Sequence, residues 1–182
     1  MLDKTKWKEA IAEYIQGCNQ GYFVTIDTQY TTDKHKINRA FPDKFSLEIN
    51  EIFRPLKIYA FGRNFRRYEE AIRSKQTLPA LPVSFEYKIK GVAAYEIGKE
   101  ERRLHLHAML LHNGSCNRTV MEVESRLREI CCFNKCTRLK GRNAQQVKLY
   151  DANRKDNLIC YLTKSTEYFG KYYDGFCNID FI

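Results

Sequence analysis

The run Leu104-His105-Leu106-His107-Ala108-Met109-Leu110-Leu111 constrains this chain more than any other stretch. It is apolar except for two histidines placed two residues apart, and it reads as a β-strand running from Arg102 to Leu111. On a strand, residues i and i+2 share a face and stand about 7 Å apart along the chain. That arrangement suits two imidazoles converging on one ion. Burying two imidazoles without partners would cost a few kcal/mol, so a polar group is expected to face them.

The preceding segment supplies that group. Tyr87 to Ile97 reads as a second strand, joined to the first by the turn Gly98-Lys99-Glu100-Glu101. A four-residue turn pairs Ile97 with Arg102, Glu96 with Arg103 and Ala94 with His105. On that register Glu96 shares a face with both histidines and is a diagonal neighbour of His105. A one-residue slip would reverse the assignment. Glu86 has the same parity but lies farther from the turn, so it is the second choice. His112 has the opposite parity and is not expected to be a ligand. Two imidazoles and a carboxylate, with positions left open to water and phosphate, suit Mg²⁺ or Mn²⁺. The plain alternative is two unrelated histidines in a strand.

Length and composition bound the rest. The chain has 182 residues, which predicts one domain over 1–182. The aromatic share of 13% excludes intrinsic disorder. No stretch approaches the ~18 apolar residues of a membrane span. The opening MLDKTKWKEA carries charges where a secretory signal has its apolar core. The seven cysteines are irregularly spaced, which predicts free thiols in a reducing compartment. No G-x-x-x-x-G-K-[ST] phosphate loop is present. The net charge of +9, from 31 basic and 22 acidic residues, fits a polyanionic partner. Its clusters are more telling than its sum. Arg63, Arg66 and Arg67 lie among Phe61, Phe65 and Tyr68. Arg138, Lys140 and Arg142 form a second group, and Lys164, Tyr168, Lys171, Tyr172 and Tyr173 a third. Cations that neutralise phosphates, interleaved with rings that stack on bases, suit single-stranded nucleic acid. A solvated face with ordinary core aromatics is the other reading.

Elsewhere the periodicity predicts a helix from Thr5 to Gln16, with Thr5 as its cap and Trp7, Ile11 and Ile15 on one side. Gly21 to Thr28, YFVTIDT after the glycine, predicts a strand. Residues 29–43 read as a loop. A helix is predicted from Phe45 to Phe61, with Pro55 as a kink site, and a further helical piece from Phe65 to Lys75. Gln76 to Pro82 is a breaker. Thr119 to Cys131 reads as helix, Gln146 to Tyr150 as a short strand, and Arg154 to Phe169 as a helix burying Leu158, Ile159 and Leu162. Helices and antiparallel strands without βαβ regularity define the class as α+β.

The last of those helices carries the second constellation. Opposite its buried stripe fall Asn157, Tyr161, Lys164, Ser165 and Tyr168. Tyr161 and Lys164, at i and i+3, have Cβ atoms about 5–6 Å apart. A free phenol titrates near 10 and is a poor nucleophile at neutral pH. A neighbouring ammonium favours the phenolate and can also hold a phosphate.

The strand YFVTIDT, the H-x-H strand and the Y-x-x-K helix, in that order, resemble the three motifs of HUH endonucleases. In particular they resemble the replication initiators (Rep proteins) of rolling-circle plasmids and phages. The similarity spans about residues 20–170. GVAAYEIGKEERRLHLHAML is similar to the metal-binding hairpin of bacterial and viral members, and FGRNFRR before it is also similar to bacterial members. The resemblance implies that His105, His107 and Glu96 hold Mg²⁺ or Mn²⁺, that Tyr161 is the nucleophile and that Lys164 accompanies it. Positions one helical turn from Tyr161 are Asn157 and Ser165, so the single-tyrosine subclass is implied. The implied fold is a central antiparallel sheet of about five strands flanked by helices. H-x-H would lie on a central strand, with the tyrosine helix over it. The implied activity is sequence-specific nicking and rejoining of single-stranded or hairpin origin DNA through a 5′-phosphotyrosine. A separate host helicase and polymerase would be partners, in the cytoplasm of a bacterial or phage-infected cell. Arg63, Arg66, Arg67, Asn157 and Tyr168 are the expected DNA contacts.

A single-tyrosine HUH transposase or a relaxase would use the same chemistry, although relaxases usually carry a three-histidine cluster that this chain lacks. A different class is a non-catalytic nucleic-acid-binding domain with a structural metal. Cys131, Cys132, Cys136 and Cys160 keep that class open, since thiolates suit zinc.

Overall fold

The computed structural model describes residues 3–31, 41–61, 90–98, 103–113, 118–134, 144–167, 169 and 178–182. Five strands form one sheet: β1 (Gln20–Thr31), β2 (Lys90–Ile97), β3 (Arg103–His112), β4 (Gln145–Leu149) and β5 (Ile179–Phe181). Their order is β4-β1-β3-β2-β5, every pairing is antiparallel, and the histidine strand β3 is central. Four α-helices are found among the described residues: α1 (Lys4–Tyr14), α2 (Phe41–Phe61), α3 (Val120–Phe133) and α4 (Lys155–Leu162). The architecture is the expected α+β one, an antiparallel sheet with helices on both faces.

Strand parity divides the core in two. Leu104, Leu106, Ala108 and Leu110 of β3 join Tyr22, Val24 and Ile26 of β1 beneath Ile49, Phe53 and Leu56 of α2 and Val123 and Leu127 of α3. Met109 and Leu111 point the other way and pack with Ile11 and Ile15 near α1 and Ile159 and Leu162 of α4. Each fully buried Leu or Ile contributes about 1.5–3 kcal/mol. His105 and His107 share parity with Met109, so they lie on the α1/α4 face.

Local chemistry sets the boundaries. Thr119 caps α3 in a capping box: its hydroxyl accepts from the Glu122 N–H, while the Glu122 carboxylate accepts from the Thr119 N–H. The cap of α1 is Asp3, whose carboxylate accepts from the Thr5 N–H at 2.9 Å; the expected cap, Thr5, is already inside the helix. Strand β1 runs on to Thr31 and α2 starts at Phe41, so the expected loop at 29–43 is shorter at both ends. Helix α4 ends at Leu162, short of Phe169. The Thr163 hydroxyl donates back to the Ile159 carbonyl at 2.9 Å and the chain turns. A short 3₁₀ turn, Ala152–Arg154, precedes it. Strand β5 adds residues beyond 170 to the sheet.

Gly21 is needed for the close approach of β1 to β3. Its φ is +146°, and a Cβ there would fall within the Leu110 carbonyl oxygen and 2.8 Å from the Leu111 Cα. The helical piece at 65–75, the breaker at 76–82 and the tip of the predicted turn, 99–102, lie outside the described residues.

Candidate active site

The hairpin closes two residues farther along than the four-residue turn predicted. Gly98 N–H donates to the Arg103 carbonyl at 2.8 Å, Ile97 pairs with Leu104, and Glu96 stands directly opposite His105. Ala94, expected opposite His105, is opposite His107. The shift is even, so parity survives, and Glu96 still shares the face of both histidines. His112 faces the opposite core, with its ring 4.7 Å from that of Phe61.

Four of the expected residues meet on this face. His107 Nε2 lies 3.1 Å from Glu96 Oε2, and Lys164 Nζ is ion-paired to Glu96 Oε1. Tyr161 lies near enough to the Glu96 carboxylate for the two groups to influence each other electrostatically. The Tyr161 ring stands edge-on to His107, centroids 4.7 Å apart, with Phe23 closing the aromatic group at 6.3 Å. The His105 and His107 rings are nearly parallel, 6.2 Å apart. Glu96 and His107 are buried, whereas Tyr161 is 40% exposed and within reach of a ligand.

The electrostatics follow from that crowd. Burial pushes the Glu96 carboxyl up, but contacts with His107, Lys164 and Tyr161 outweigh it and hold it at about 2. Tyr161 goes the other way. Burial raises the phenol, and the nearby anionic Glu96 raises it further, to about 12. Lys164 was expected to favour the phenolate; here its charge is directed to Glu96.

Sequence reasoning missed two side chains on β1. Register places Thr25 opposite His107 and Asp27 opposite His105. Thr25 Oγ1 is 3.1 Å from His107 Nδ1, and Asp27 Oδ1 is 2.7 Å from His105 Nδ1. Their i, i+2 spacing on β1, matching that of His105 and His107 on β3, was the available signal. Asn157 is exposed on α4. Arg63, Arg66, Arg67, Tyr168 and Glu86 lie outside the described residues.

The donor types suit a small divalent ion. Both Nδ1 atoms are engaged by β1, which leaves both Nε2 atoms to act as donors. His107 Nε2 is buried and has no hydrogen-bond partner, because Glu96 Oε2 stands near it but off line. Two donors about 2.1 Å from one ion, at right angles, stand roughly 3 Å apart, close to the spacing found. Among the described residues, no three His, Cys, Asp or Glu side chains close to metal-binding spacing. Cys131 belongs to the α2/α3 core and Cys160 to exposed α4 on the other face, so these two do not share an ion. Cys136 lies outside the described residues. Grooves of about 450 and 600 Å³ between α2 and α3 are across the sheet from this chemistry. No described helix is long and apolar enough to cross a membrane.

No protein-family model matches the chain, and neither the curated proteins nor the solved structures contain a match to it.

Proposed function

We propose that this protein is a metal-dependent endonuclease of the HUH type. It would nick and rejoin single-stranded or hairpin origin DNA through a 5′-phosphotyrosine and so start rolling-circle replication. One observation carries the reading: the partly exposed Tyr161 ring stands edge-on to His107 of the central strand, beside the buried Glu96–His107 pair formed across β2 and β3. The surplus of nine positive charges is in keeping with a nucleic-acid substrate.

Glu96, His107 and His105 would hold Mg²⁺ or Mn²⁺, which supplies Lewis-acid charge to the scissile phosphate. The chain's own residues do the rest. Tyr161 is held by α4 over the phosphate site, where its oxygen attacks phosphorus in line. The Tyr O–P bond forms as the P–O3′ bond breaks. The phenol proton passes to solvent, and the leaving 3′-oxygen takes one from water. Glu96, held at about 2, is far too weak a base to take the proton of a phenol near 12. Its part would be to help hold the ion. Cancelling the Glu96 charge removes its share of the Tyr161 shift and frees Lys164 for a phosphate oxygen. The phosphotyrosine conserves the bond energy, so the free 3′-hydroxyl can serve a polymerase as primer or later reverse the step. Duplex opening would fall to a separate helicase.

The test is incubation with labelled single-stranded DNA carrying candidate origin hairpins, with Mn²⁺. Wild type should give a protein–DNA band that survives denaturant. Tyr161→Phe should bind DNA but give no such band. A band that persists in Tyr161→Phe overturns the assignment of the nucleophile.

A further inference from the structure

We infer that Asp27 is a positioning residue: its carboxylate holds the His105 Nδ1 proton and thereby leaves Nε2, beside Gly98, as the lone-pair nitrogen of His105. The inference rests on the endonuclease reading, and it names a side chain on a strand that supplies none of the expected ligands.

The geometry is specific. Asp27 is directly opposite His105 across the β1–β3 pairing, and their Oδ1 and Nδ1 atoms are 2.7 Å apart. A carboxylate accepts and does not donate, so the proton in that bond belongs to the imidazole. A neutral imidazole has one N–H. Committing it to Nδ1 leaves Nε2 as the lone-pair nitrogen, the form that binds a metal. A carboxylate behind an imidazole also fixes the ring's orientation.

Asp27 is itself firmly placed. Its N–H donates to the Ala144 carbonyl at 2.8 Å. The next residue, Thr28, donates its hydroxyl to the Leu104 carbonyl at 2.6 Å. Regular β1–β3 pairing ends at Asp27, where a bulge begins. On the other side of the ring, Gly98 leaves room for Nε2: a Cβ at Gly98 would overlap that atom. Thr25 makes the matching contact to His107, but a hydroxyl can donate or accept and so does not dictate the tautomer. Asp27 does.

The deciding measurement is nitrogen NMR of the metal-free protein with labelled imidazoles, at pH about 8, where a free imidazole is neutral. Wild-type His105 should carry its proton on Nδ1. In Asp27→Asn the amide can donate to Nδ1, so the population should move toward the Nε2–H form while His107 keeps its spectrum. Calorimetric titration with Mn²⁺ should show affinity about 10–100-fold weaker in the variant. A wild-type His105 protonated on Nε2, or a tautomer unchanged by Asp27→Asn, overturns the inference. The wild-type spectrum decides the matter alone if the variant does not fold. Failure of wild type to bind Mn²⁺ would instead count against the endonuclease reading, which the metal-free spectrum does not touch.

Discussion

Replacing Glu96 with glutamine keeps the shape of the side chain and removes its charge. In the native protein the Glu96 carboxyl is held at about 2, against 4.5 for the free group. At about 1.4 kcal/mol per unit, that difference corresponds to roughly 3 kcal/mol of native-state stability. Lys164, one of its partners, is 44% exposed, so solvent screens its share. We expect Glu96→Gln to cost about 2 kcal/mol at neutral pH, a fall in Tm of roughly 4–8 °C for a chain of this size. Because the native carboxyl is depressed, its contribution is complete above the unfolded value of 4.5. It is lost as the pH falls from there toward 2. Urea unfolding of wild type and variant should therefore differ most at neutral pH and converge as the solution is acidified below 4.5. A second readout reports on the folded site and not on the stability difference. Ultraviolet titration, with Tyr161→Phe as background, should find Tyr161 near 12 in wild type. In Glu96→Gln it should be lower yet still above 10, because burial, the larger cause, remains. A stability gap that stays flat from neutral pH to 3, together with an unmoved Tyr161, would refute this account of the site.

Other expectations follow from the same contacts. Gly21→Ala places a Cβ against the Leu110 backbone in the middle of the sheet and at φ +146°, so it should cost more than about 2 kcal/mol in chemical denaturation, or prevent folding. Thr119→Ala removes the hydroxyl half of the α3 capping box and should cost about 1 kcal/mol in the same assay, with no change in the imidazole spectra. Gly98→Ala meets the tip of a side chain more than backbone, so stability should change by less than about 1 kcal/mol. The His105 ring must then turn, and its NMR signals should shift while those of His107 stay.

What was legible in the sequence depended on parity more than on register. A turn two residues too short still put Glu96 on the histidine face, because an even shift preserves the face of every side chain. A one-residue error would have lost the site. The tyrosine helix was legible for the same kind of reason: Ile159 and Leu162 had to face the sheet, which left Tyr161 and Lys164 at its margin. Its end was not, because hydroxyls at 163 and 165 read equally well as surface positions, and only tertiary packing decides that Thr163 bonds back to Ile159. The α1 cap was read as Thr5, whereas the side-chain bond selects Asp3, two residues earlier. Asp27 and Thr25 escaped because polar residues alternating in a strand usually mean a wet face. Only the strand order, with β1 beside β3, sets them next to the histidines.

The two histidines are equivalent in the sequence pattern and unequal in the structure. His107 is buried, with Thr25 at its Nδ1, the Glu96 carboxylate beside its Nε2 and Tyr161 and Phe23 against its ring. His105 is about a third exposed and is steadied by Asp27 and by the gap at Gly98. The difference follows from packing: Tyr161 of α4 and Phe23 of β1 lie against the His107 ring. A site built this way has one donor fixed by packing and one fixed by a single hydrogen bond. Its precision at the outer position therefore rests on β1, a strand that holds no ligand of its own. Rigid elements place donors better than loops do, provided that a supporting shell locks each rotamer. Here the inner shell is aromatic and the outer one is a carboxylate, so the proposed ion binding would draw on Asp27 as well as on the more conspicuous histidines.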